Sequence, residues 1–244
     1  MEDLKKRLDH EIAHGEKMGA DAEAIWNWTS GAGKVRAERR AKYLIDLGKF
    51  SSNDRVLEIG CGTAIFTEKV YQATHAQITA IDISEILLAQ ARLKLPNVEF
   101  KTEDAMNMSF DNESFEGVFG SSVIHHLDIE KSLREIFRVL KTGSGRMIFA
   151  EPNMLNPQIF VQKNVPAIKE WLGDSPDETA IVRWKLAQQM KEIGFKNIKI
   201  FPYDFLHPSV PEFLIGTVQG IGKIIEQIPL LREIAGSVII YGEK

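Results

Sequence analysis

The sequence predicts an α/β fold built on a doubly wound parallel sheet. Five short segments rich in Val, Ile and Phe alternate with segments whose apolar residues recur at spacings of three and four. This alternation implies parallel strands joined by right-handed crossovers, which place a helix against the sheet each time. A chain of 244 residues with 44% hydrophobic residues and one cysteine has enough core to fold without disulfides.

The predicted elements follow one another along the chain. The first five strands are expected at 55–59, 77–81, 98–101, 115–119 and 146–150, with helices between them at 65–73, 85–95 and 129–140. Farther along, a helix over 179–193 is expected to end at Gly194 as a glycine cap. Two more strands are expected at 197–202 and 237–241.

The pattern also predicts a domain organisation. A helical N-terminal lid is expected over 1–50 and a ligand-binding domain over 51–244, with cap insertions at about 152–178 and 204–235. Within the lid, Gly31 and Gly33 interrupt the helical pattern, so an early polar helix is expected before them and a second helix after them, over about 35–47.

Composition and charge exclude several classes of protein. Thirty basic residues against 34 acidic ones leave a net charge of -4, which argues against a sequence-independent nucleic-acid binder. Six scattered histidines and a single cysteine provide no zinc-ligand spacing, so no metal site is predicted. The first ten residues lack the apolar run of a secretory signal, and charges and a proline interrupt the apolar stretch over 213–234. A cytoplasmic protein without a transmembrane segment is therefore expected.

Candidate ligand-binding residues stand at the carboxyl ends of successive predicted strands, where open parallel sheets bind their ligands. Glu58, Gly60 and Gly62 lie in the turn after the first strand, where the missing Cβ atoms let the backbone approach a ligand. Thr63 can cap the helix that follows. Asp82 ends the second strand, 24 residues after Glu58, where a carboxylate can accept from both hydroxyls of a ribose.

Two further strand ends carry polar or small residues. Asp104 and Ala105 follow the third strand, where a carboxylate can accept from an exocyclic amine, and Ser121 follows the fourth. Taken singly, each feature has a plainer explanation, because glycine pairs often form tight turns, Asp82 can cap a helix and a loop aspartate is usually solvated. Their occurrence at successive strand ends favours a nucleoside site.

The first turn disfavours a phosphate ligand. Ile65 stands three residues beyond Gly62, so the dinucleotide pattern G-x-G-x-x-G is incomplete, and Glu58 would repel a pyrophosphate. The run V-L-E-I-G-C-G-T-A-I-F resembles the first motif of class I S-adenosylmethionine-dependent methyltransferases of the small-molecule type. The segments A-I-D-I-S, E-D-A, S-F-E-G-V-F-G-S-S-V-I-H-H-L and R-V-L-K-T-G-S-G-R-M-I-F-A-E-P-N resemble later motifs of that family, so the resemblance covers about residues 54–153.

The resemblance implies a Rossmann-like, seven-stranded mixed sheet with an antiparallel last strand, S-adenosylmethionine as cofactor and S-adenosylhomocysteine as product. It also implies that the first turn contacts the methionine moiety, that Glu58 orients its amino group, that Asp82 holds the ribose and that Ser121 lies beside the methionine portion. Ile83 would cover one face of the adenine, and Asp104 and Ala105 would meet its edge. The cofactor-binding residues implied in this way are Glu58, Gly60, Cys61, Gly62, Thr63, Asp82, Ile83, Asp104, Ala105 and Ser121.

Two positions depart from the family pattern. Ala64 replaces the third glycine of the first turn, and residues 142–145 replace a Pro-Gly-Gly turn. Alanine is expected to start a helix at this position but not to adopt a positive φ, so a slightly altered turn is expected.

The activity implied by the resemblance is methyl transfer to an oxygen, carbon or nitrogen atom of a small-molecule acceptor by in-line displacement. No catalytic residue is assigned from the sequence. His125 and His126 are candidate bases and Glu151 and Asn153 are candidate acceptor-binding residues, although all four can serve local structure alone. The competing hypothesis is a non-catalytic sensor or interaction module that binds S-adenosylmethionine or S-adenosylhomocysteine.

Several other features leave the acceptor open. Trp26 and Trp28 precede the core, where packing is favoured over substrate recognition. The apolar segment over 211–234 suits a hydrophobic acceptor or a lid packed on the core. A basic cluster can meet an anionic substrate or the cofactor's carboxylate, although a solvated helix face is the favoured interpretation. The cluster comprises Lys34, Arg36, Arg39 and Arg40.

Overall fold

A seven-stranded sheet forms the centre of the protein in a computed structural model that describes residues 7, 10, 12, 13, 15, 19–175 and 177–244. The strands are β1 Arg55–Ile59, β2 Gln77–Asp82, β3 Glu99–Thr102, β4 Gly117–Ser121, β5 Arg146–Pro152, β6 Lys196–Tyr203 and β7 Ser237–Glu243. Their order across the sheet is β3-β2-β1-β4-β5-β7-β6, and β7 runs antiparallel to both of its neighbours. The predicted mixed, doubly wound, Rossmann-like sheet is confirmed.

Helices connect the strands and cover the sheet. In the described part of the chain they are α1 Ala22–Ile25, α2 Gly31–Gly48, α3 Ile65–Thr74, α4 Glu85–Lys94, α5 Ile129–Val139, α6 Pro157–Asn164, α7 Pro166–Trp171, α8 Arg183–Ile193 and α9 Ile215–Ile225. The early polar helix expected before residue 19 falls mostly outside the described residues. Among the helices described, none combines the length and the apolar character needed to cross a membrane.

The strands bury alternate side chains in two hydrophobic clusters, as the period of two in a strand requires. Val56 of β1 belongs to the cluster that contains Leu44 of α2 and Val70 of α3. The next residue, Leu57, belongs to the opposite cluster with Ile136 of α5. Because helices pack on both faces, the carboxyl ends of β1, β2 and β4 are held in fixed positions along one edge of the sheet.

The helix α2 begins at Gly31, earlier than the predicted start near residue 35. The Ser30 hydroxyl accepts a hydrogen bond from the Gly33 N–H at 3.0 Å, which forms a normal N-cap. A Cβ atom on Gly33 would lie 1.8 Å from the carbonyl oxygen of Asn27, so glycine lets the first turn lie against the preceding chain. The two glycines therefore start the helix and do not interrupt it.

Other predicted boundaries shift by a few residues. The strand expected at 115–119 is β4, Gly117–Ser121, and the helix expected from residue 179 begins at Arg183. Gly194 ends α8 with a φ of 118°, which confirms the predicted glycine cap.

Candidate functional site

A cavity of about 670 Å³ opens at the carboxyl ends of β1, β2 and β4. Nine of the ten residues that the sequence suggests for cofactor binding line it, and Glu58 lies buried beneath the turn. The lining nine are Gly60, Cys61, Gly62, Thr63, Asp82, Ile83, Asp104, Ala105 and Ser121. The structure thus brings together residues from four separate strand ends, although their role in binding stays a prediction.

The turn after β1 presents bare backbone to the cavity. Gly60 and Gly62 have φ values of 67° and 52°, a region that favours glycine. The N–H groups of Gly60 and Cys61 donate to the carbonyl oxygen of Ile81 at 2.8 and 3.0 Å, which fixes the turn against β2. A Cβ atom on Gly60 would lie 2.4 Å from a methyl carbon of Val123, so a larger residue does not fit.

Two expectations about the start of α3 are wrong. Ala64 has a φ of 65° and a ψ of 31°, so it adopts the left-handed conformation in place of the family's third glycine. Thr63 does not cap the helix, because its hydroxyl donates to a carboxylate oxygen of Glu23 at 2.8 Å. The backbone at Ala64 therefore keeps the left-handed conformation that glycine would adopt, at the cost of local strain. The hydrogen bond of Thr63 to Glu23 connects the turn to the segment before α2.

This turn gives a first prediction, which compares Gly60→Ala with Ala64→Gly. Gly60→Ala should lower the free energy of unfolding by about 2 kcal/mol or more, because a positive φ costs ~1–2 kcal/mol and the contact with Val123 adds to it. Ala64→Gly should change stability by less than about 1 kcal/mol, because relief of strain offsets the loss of a buried methyl group. Urea unfolding of both variants measures the difference, and equal losses would contradict the conformations given above.

Asp82 joins this turn to the end of β2. One carboxylate oxygen accepts from the Gly62 N–H at 2.8 Å and the other accepts from the Ser84 N–H at 2.9 Å. Ser84 itself caps α4, so Asp82 is not the N-cap of that helix. Burial raises the pKa of Asp82, and its backbone hydrogen bonds oppose that shift. Since each carboxylate oxygen has two lone pairs, both remain able to accept from a ligand hydroxyl.

Glu58 is the most unusual polar group of the site. Its side chain is 1% exposed, and its Oε2 atom has no hydrogen-bond partner among the described residues. Burial raises the pKa of Glu58 to about 8, with opposition from the neighbouring Thr67 hydroxyl and a further increase from the Asp82 charge. A buried oxygen without a hydrogen-bond partner is destabilising, and perturbed buried carboxyl groups of this kind occur most often at functional sites.

The end of β3 supplies the next wall of the cavity. Asp104 accepts from the Met106 N–H at 2.8 Å through one carboxylate oxygen, which leaves its other oxygen available at the cavity. Ala105 is buried beside it, and Ile83 adds an apolar side chain from the end of β2. This wall of the cavity therefore combines apolar side chains with the carboxylate of Asp104.

Arg40 of α2 reaches the cavity from the other side. It is 3% exposed, and its guanidinium donates to Ser121 and Ser122 at 2.9 and 2.7 Å. Two longer bonds, each of 3.2 Å, reach the hydroxyls of Tyr203 and Ser237. All four partners are neutral, and within the described residues no carboxylate pairs with this cation. Arg40 is therefore a buried positive charge at the cavity wall with no counter-charge.

The favoured interpretation of the basic cluster as a solvated helix face is wrong for three of its members. Arg36 and Arg39 pair with Asp204 and Glu226, and both arginines are largely buried by these contacts. Arg40 stacks near the rings of Trp28 and Phe66, with its Cζ atom 5.1 and 6.0 Å from their centroids. Lys34 of this cluster remains exposed.

The residues after β4 form a buried ionic cluster. The Nδ1 atom of His125 lies 2.7 Å from Glu151, and its Nε2 atom lies 3.3 Å from Glu178. Although burial alone would lower it, the hydrogen bonds to these two carboxylates raise the pKa of His125 to about 9. His125 is thus held as a cation in the free protein, which is the wrong form for a general base.

Neither of the two acceptor-binding candidates after β5 reaches the cavity. Glu151 accepts from His125 and from the N–H groups of Val123 and Ile124, and it is fully buried. Asn153 donates to the carbonyl oxygens of Glu233 and Ala235, both at 2.8 Å. Both side chains therefore serve local structure.

Sequence reasoning missed most of the far wall of the cavity. That wall comprises Gln158, Ile159, Gln162 and Lys163 of α6, Leu172, Gly173, Asp174 and Glu178 of the following loop, and His207, Pro208 and Ser209. The spacing of Gln158 and Gln162, four residues apart, indicates one face of a helix and was the available signal. No local pattern marks 207–209, because only the fold brings this loop to the site.

Comparison with known proteins shows similarity to methyltransferases in both sequence and fold. A family model described as a methyltransferase domain matches residues 56–143. The chain is 27% identical over 150 residues to an uncharacterized methyltransferase-like protein of Schizosaccharomyces pombe, an alignment that covers 62% of this chain and 57% of that protein. It is 29% identical over 168 residues to demethylmenaquinone methyltransferase of Chlorobaculum parvum, covering 62% and 69%. The crystal structure of a SAM dependent methyltransferase from Archaeoglobus fulgidus superposes with a TM-score of 0.61 at 19% identity, covering 86% of this chain and 94% of that one.

Residues 56–143 match a methyltransferase domain. In sequence and in fold, the chain is similar to S-adenosylmethionine-dependent methyltransferases. The chain spans 57% of the length of the first relative, and the structural similarity at 19% identity establishes the fold alone.

Proposed function

We propose that this protein transfers the methyl group of S-adenosylmethionine to an oxygen, carbon or nitrogen atom of a small-molecule acceptor. The observation that carries the proposal is the arrangement of Gly62 and Asp82 at the cavity with Glu58 buried beneath the same turn. The turn is bare, Asp82 is anchored to it, and the Oε2 atom of Glu58 has no hydrogen-bond partner among the described residues. The name of one relative, demethylmenaquinone methyltransferase, supports a small molecule as acceptor.

The residues present fit this cofactor. Glu58 has an unsatisfied buried oxygen suited to an ammonium group, and Asp82 keeps lone pairs suited to two ribose hydroxyls. Arg40 is a buried cation without a counter-charge, suited to a carboxylate. The amino-acid end of the cofactor carries an ammonium group and a carboxylate. One ligand can therefore provide a partner for both Glu58 and Arg40.

When bound, S-adenosylmethionine supplies a methyl group activated by its sulfonium. The protein then has to hold the two reactants in line and exclude water, and positioning of this kind is worth up to about 7–11 kcal/mol in the best cases. Glu58 and Arg40 orient the amino-acid end, and Asp82 holds the ribose. The indole of Trp26 lies against Gly62 and shields that end of the cavity from solvent.

The acceptor side of the cavity has mixed polarity. Gln158, Gln162 and His207 offer hydrogen-bonding groups, while Ile159 and Leu172 offer apolar surface. We therefore expect an acceptor that carries polar substituents on an apolar frame, in place of the wholly hydrophobic one that the segment over 211–234 suggests. The lid over 1–50 and the two caps remain our interpretation of the domain organisation, as does a cytoplasmic location.

His207 lines the acceptor side of the cavity with its hydrogen bonds already made. Burial and the nearby Arg36 charge lower the pKa of His207, so its ring is neutral near pH 7. Its Nδ1 atom accepts from the Ser209 N–H at 3.2 Å, and its Nε2 atom lies 3.0 Å from the side-chain amide of Gln158. Both ring nitrogens of His207 therefore already have partners.

The test is calorimetry with S-adenosylmethionine and S-adenosylhomocysteine, followed by a methyl-transfer screen over small acceptors. Asp82→Ala should weaken both ligands by about 1.5 kcal/mol, or roughly tenfold, because two charge-assisted hydrogen bonds are lost. Asp111→Ala, in an exposed loop, should leave both affinities unchanged and serves as the control.

Two outcomes would count against the proposal. Equal affinity of Asp82→Ala and the wild type would remove the ribose assignment. Tight binding of both ligands without methyl transfer to any acceptor would favour the non-catalytic sensor.

A further inference from the structure

We propose that His125, His126 and Glu178 form a binding site for a divalent transition-metal ion at the acceptor side of the cavity. The three side chains belong to different parts of the chain: the two histidines form a 3-10 turn after β4, and Glu178 lies in the loop before α8. All three line the cavity, and one ligand-type atom from each lies within 4.8 Å of the others. No other part of the described chain brings three such groups together.

The spacing of the candidate ligand atoms fits an ion placed between them. The Nε2 atom of His125 lies 3.3 Å from one oxygen of Glu178, and the Nδ1 atom of His126 lies 3.9 Å from the other. Ligands about 2.1 Å from a shared ion are separated by about 3.0–3.4 Å in octahedral or tetrahedral geometry. The three candidate atoms lie within 4.8 Å of one another, so the side chains must rotate towards the ion to close the site.

The second nitrogen of His125 is already held as in a metal site. Its Nδ1 atom bonds Glu151 at 2.7 Å, and Glu151 is fixed in turn by two backbone N–H groups. Metal-binding histidines usually donate their other ring N–H to a carboxylate, which orients the ring and makes the coordinating nitrogen more basic. The ion would take the place of the proton now on Nε2.

Three carboxylates and one ammonium group are in contact at this cluster. Glu151, Glu178 and Asp174 are acidic, and Lys163 is the ammonium that contacts the last two. Lys163 keeps its 2.7 Å contact with Asp174 when Glu178 turns towards the ion. Arg7 and Lys169 add two cations beside the cluster, because they donate to the main-chain carbonyl oxygens of His126 and Glu178.

Two histidines and one carboxylate favour Zn²⁺, Co²⁺, Ni²⁺, Mn²⁺ or Fe²⁺ over Mg²⁺ or Ca²⁺, which prefer oxygen ligands alone. Three protein ligands leave coordination positions open towards the cavity. An oxygen of the acceptor, such as that of a phenol, would occupy one of them and be polarised there. This role of the ion rests on the proposed methyl transfer, whereas the existence of the site does not.

The experiment uses the whole chain, freed of metal with a chelator and titrated with Co²⁺ by visible absorption and with Zn²⁺ by calorimetry. We expect one equivalent to bind with the absorption bands of nitrogen and oxygen coordination. His126→Ala and Glu178→Gln should each lower the affinity at least tenfold. His75→Asn replaces a histidine outside the cavity and should leave binding unchanged.

Binding of S-adenosylhomocysteine, measured on the same samples, reports whether each variant is folded. A wild type that binds this nucleoside but no metal overturns the metal site and leaves the proposed function intact. A wild type that binds metal but not the nucleoside overturns the proposed function alone. Equal metal affinity in the wild type and in both folded ligand variants also overturns the assignment.

Discussion

Glu58→Gln should make the ligand-free protein more stable and its binding of S-adenosylhomocysteine much weaker. The folded pKa of Glu58, about 8, lies above its ordinary value. The contribution of this carboxyl group to stability is therefore greatest below its ordinary pKa, declines as pH rises and is lost by about pH 8. The variant should consequently gain stability over the wild type as the pH increases from 5 to 8.

Ligand binding should change in the opposite direction. An ammonium group favours the ionised carboxylate, so the wild type should bind S-adenosylhomocysteine more tightly at pH 8 than at pH 6 and release a proton on binding. Glu58→Gln should abolish this pH dependence and lose about 1.5–3 kcal/mol of affinity, or roughly 10- to 150-fold. Thermal unfolding and calorimetry across this pH range measure both effects.

The control for this prediction is Glu192→Gln, which neutralises an exposed carboxylate of α8. It should alter neither the pH dependence of unfolding nor that of binding. If Glu58→Gln lowers stability at pH 8, or if it binds the nucleoside as well as the wild type does, Glu58 does not act as an unsatisfied acceptor for the cofactor.

The second large effect is expected for Arg40→Met, which removes the buried charge but keeps much of the side-chain volume. If Arg40 receives the carboxylate of the cofactor, affinity for S-adenosylhomocysteine should fall by about 1.5–3 kcal/mol, or roughly 10- to 150-fold. Affinity for 5′-methylthioadenosine, which lacks the amino-acid end, should not change. The comparison is made by calorimetry on both ligands.

Other variants separate this role from a general loss of structure. Asp82→Ala should weaken both nucleosides, because each carries the ribose, whereas Glu58→Gln should follow the pattern of Arg40→Met. Equal losses for both ligands in Arg40→Met would assign Arg40 to maintenance of the pocket. Unchanged affinity for both nucleosides would mean that Arg40 does not bind the cofactor, and its charge would then be assigned to binding an anionic acceptor.

Much of the fold and many of the residues that line the cavity at the strand ends could be predicted from the sequence, because each of them belongs to a short local motif. The turn around Gly60 and Gly62 and the acid at Asp82 occupy fixed positions relative to their own strands, and parallel pairing brings those strand ends together. Ala64 was misjudged because its conformation is set by the path that the chain must follow from β1 into α3. Tertiary constraint outweighs a penalty of about 1–2 kcal/mol there.

The surroundings of Arg40 and the acceptor side of the cavity were both largely invisible to sequence reasoning. The partners of Arg40 stand at positions 121, 122, 203 and 237, and no periodicity links residues so far apart. The same holds for Glu178, which meets His125 across 53 positions of the chain. Burial of a charged side chain on an apparently polar helix is decided by what packs over it, which a helical pattern does not contain.

The bond between Arg40 and Ser237 spans 197 positions, so it joins the beginning of the chain to its end. Contacts of such high sequence separation form slowly, because closing a long loop costs entropy before any contact is gained. A ribosome-bound chain that still lacks its last strand cannot complete the cationic wall. The capacity to recognise the nucleoside's amino-acid portion should therefore emerge only after β7 has joined the sheet.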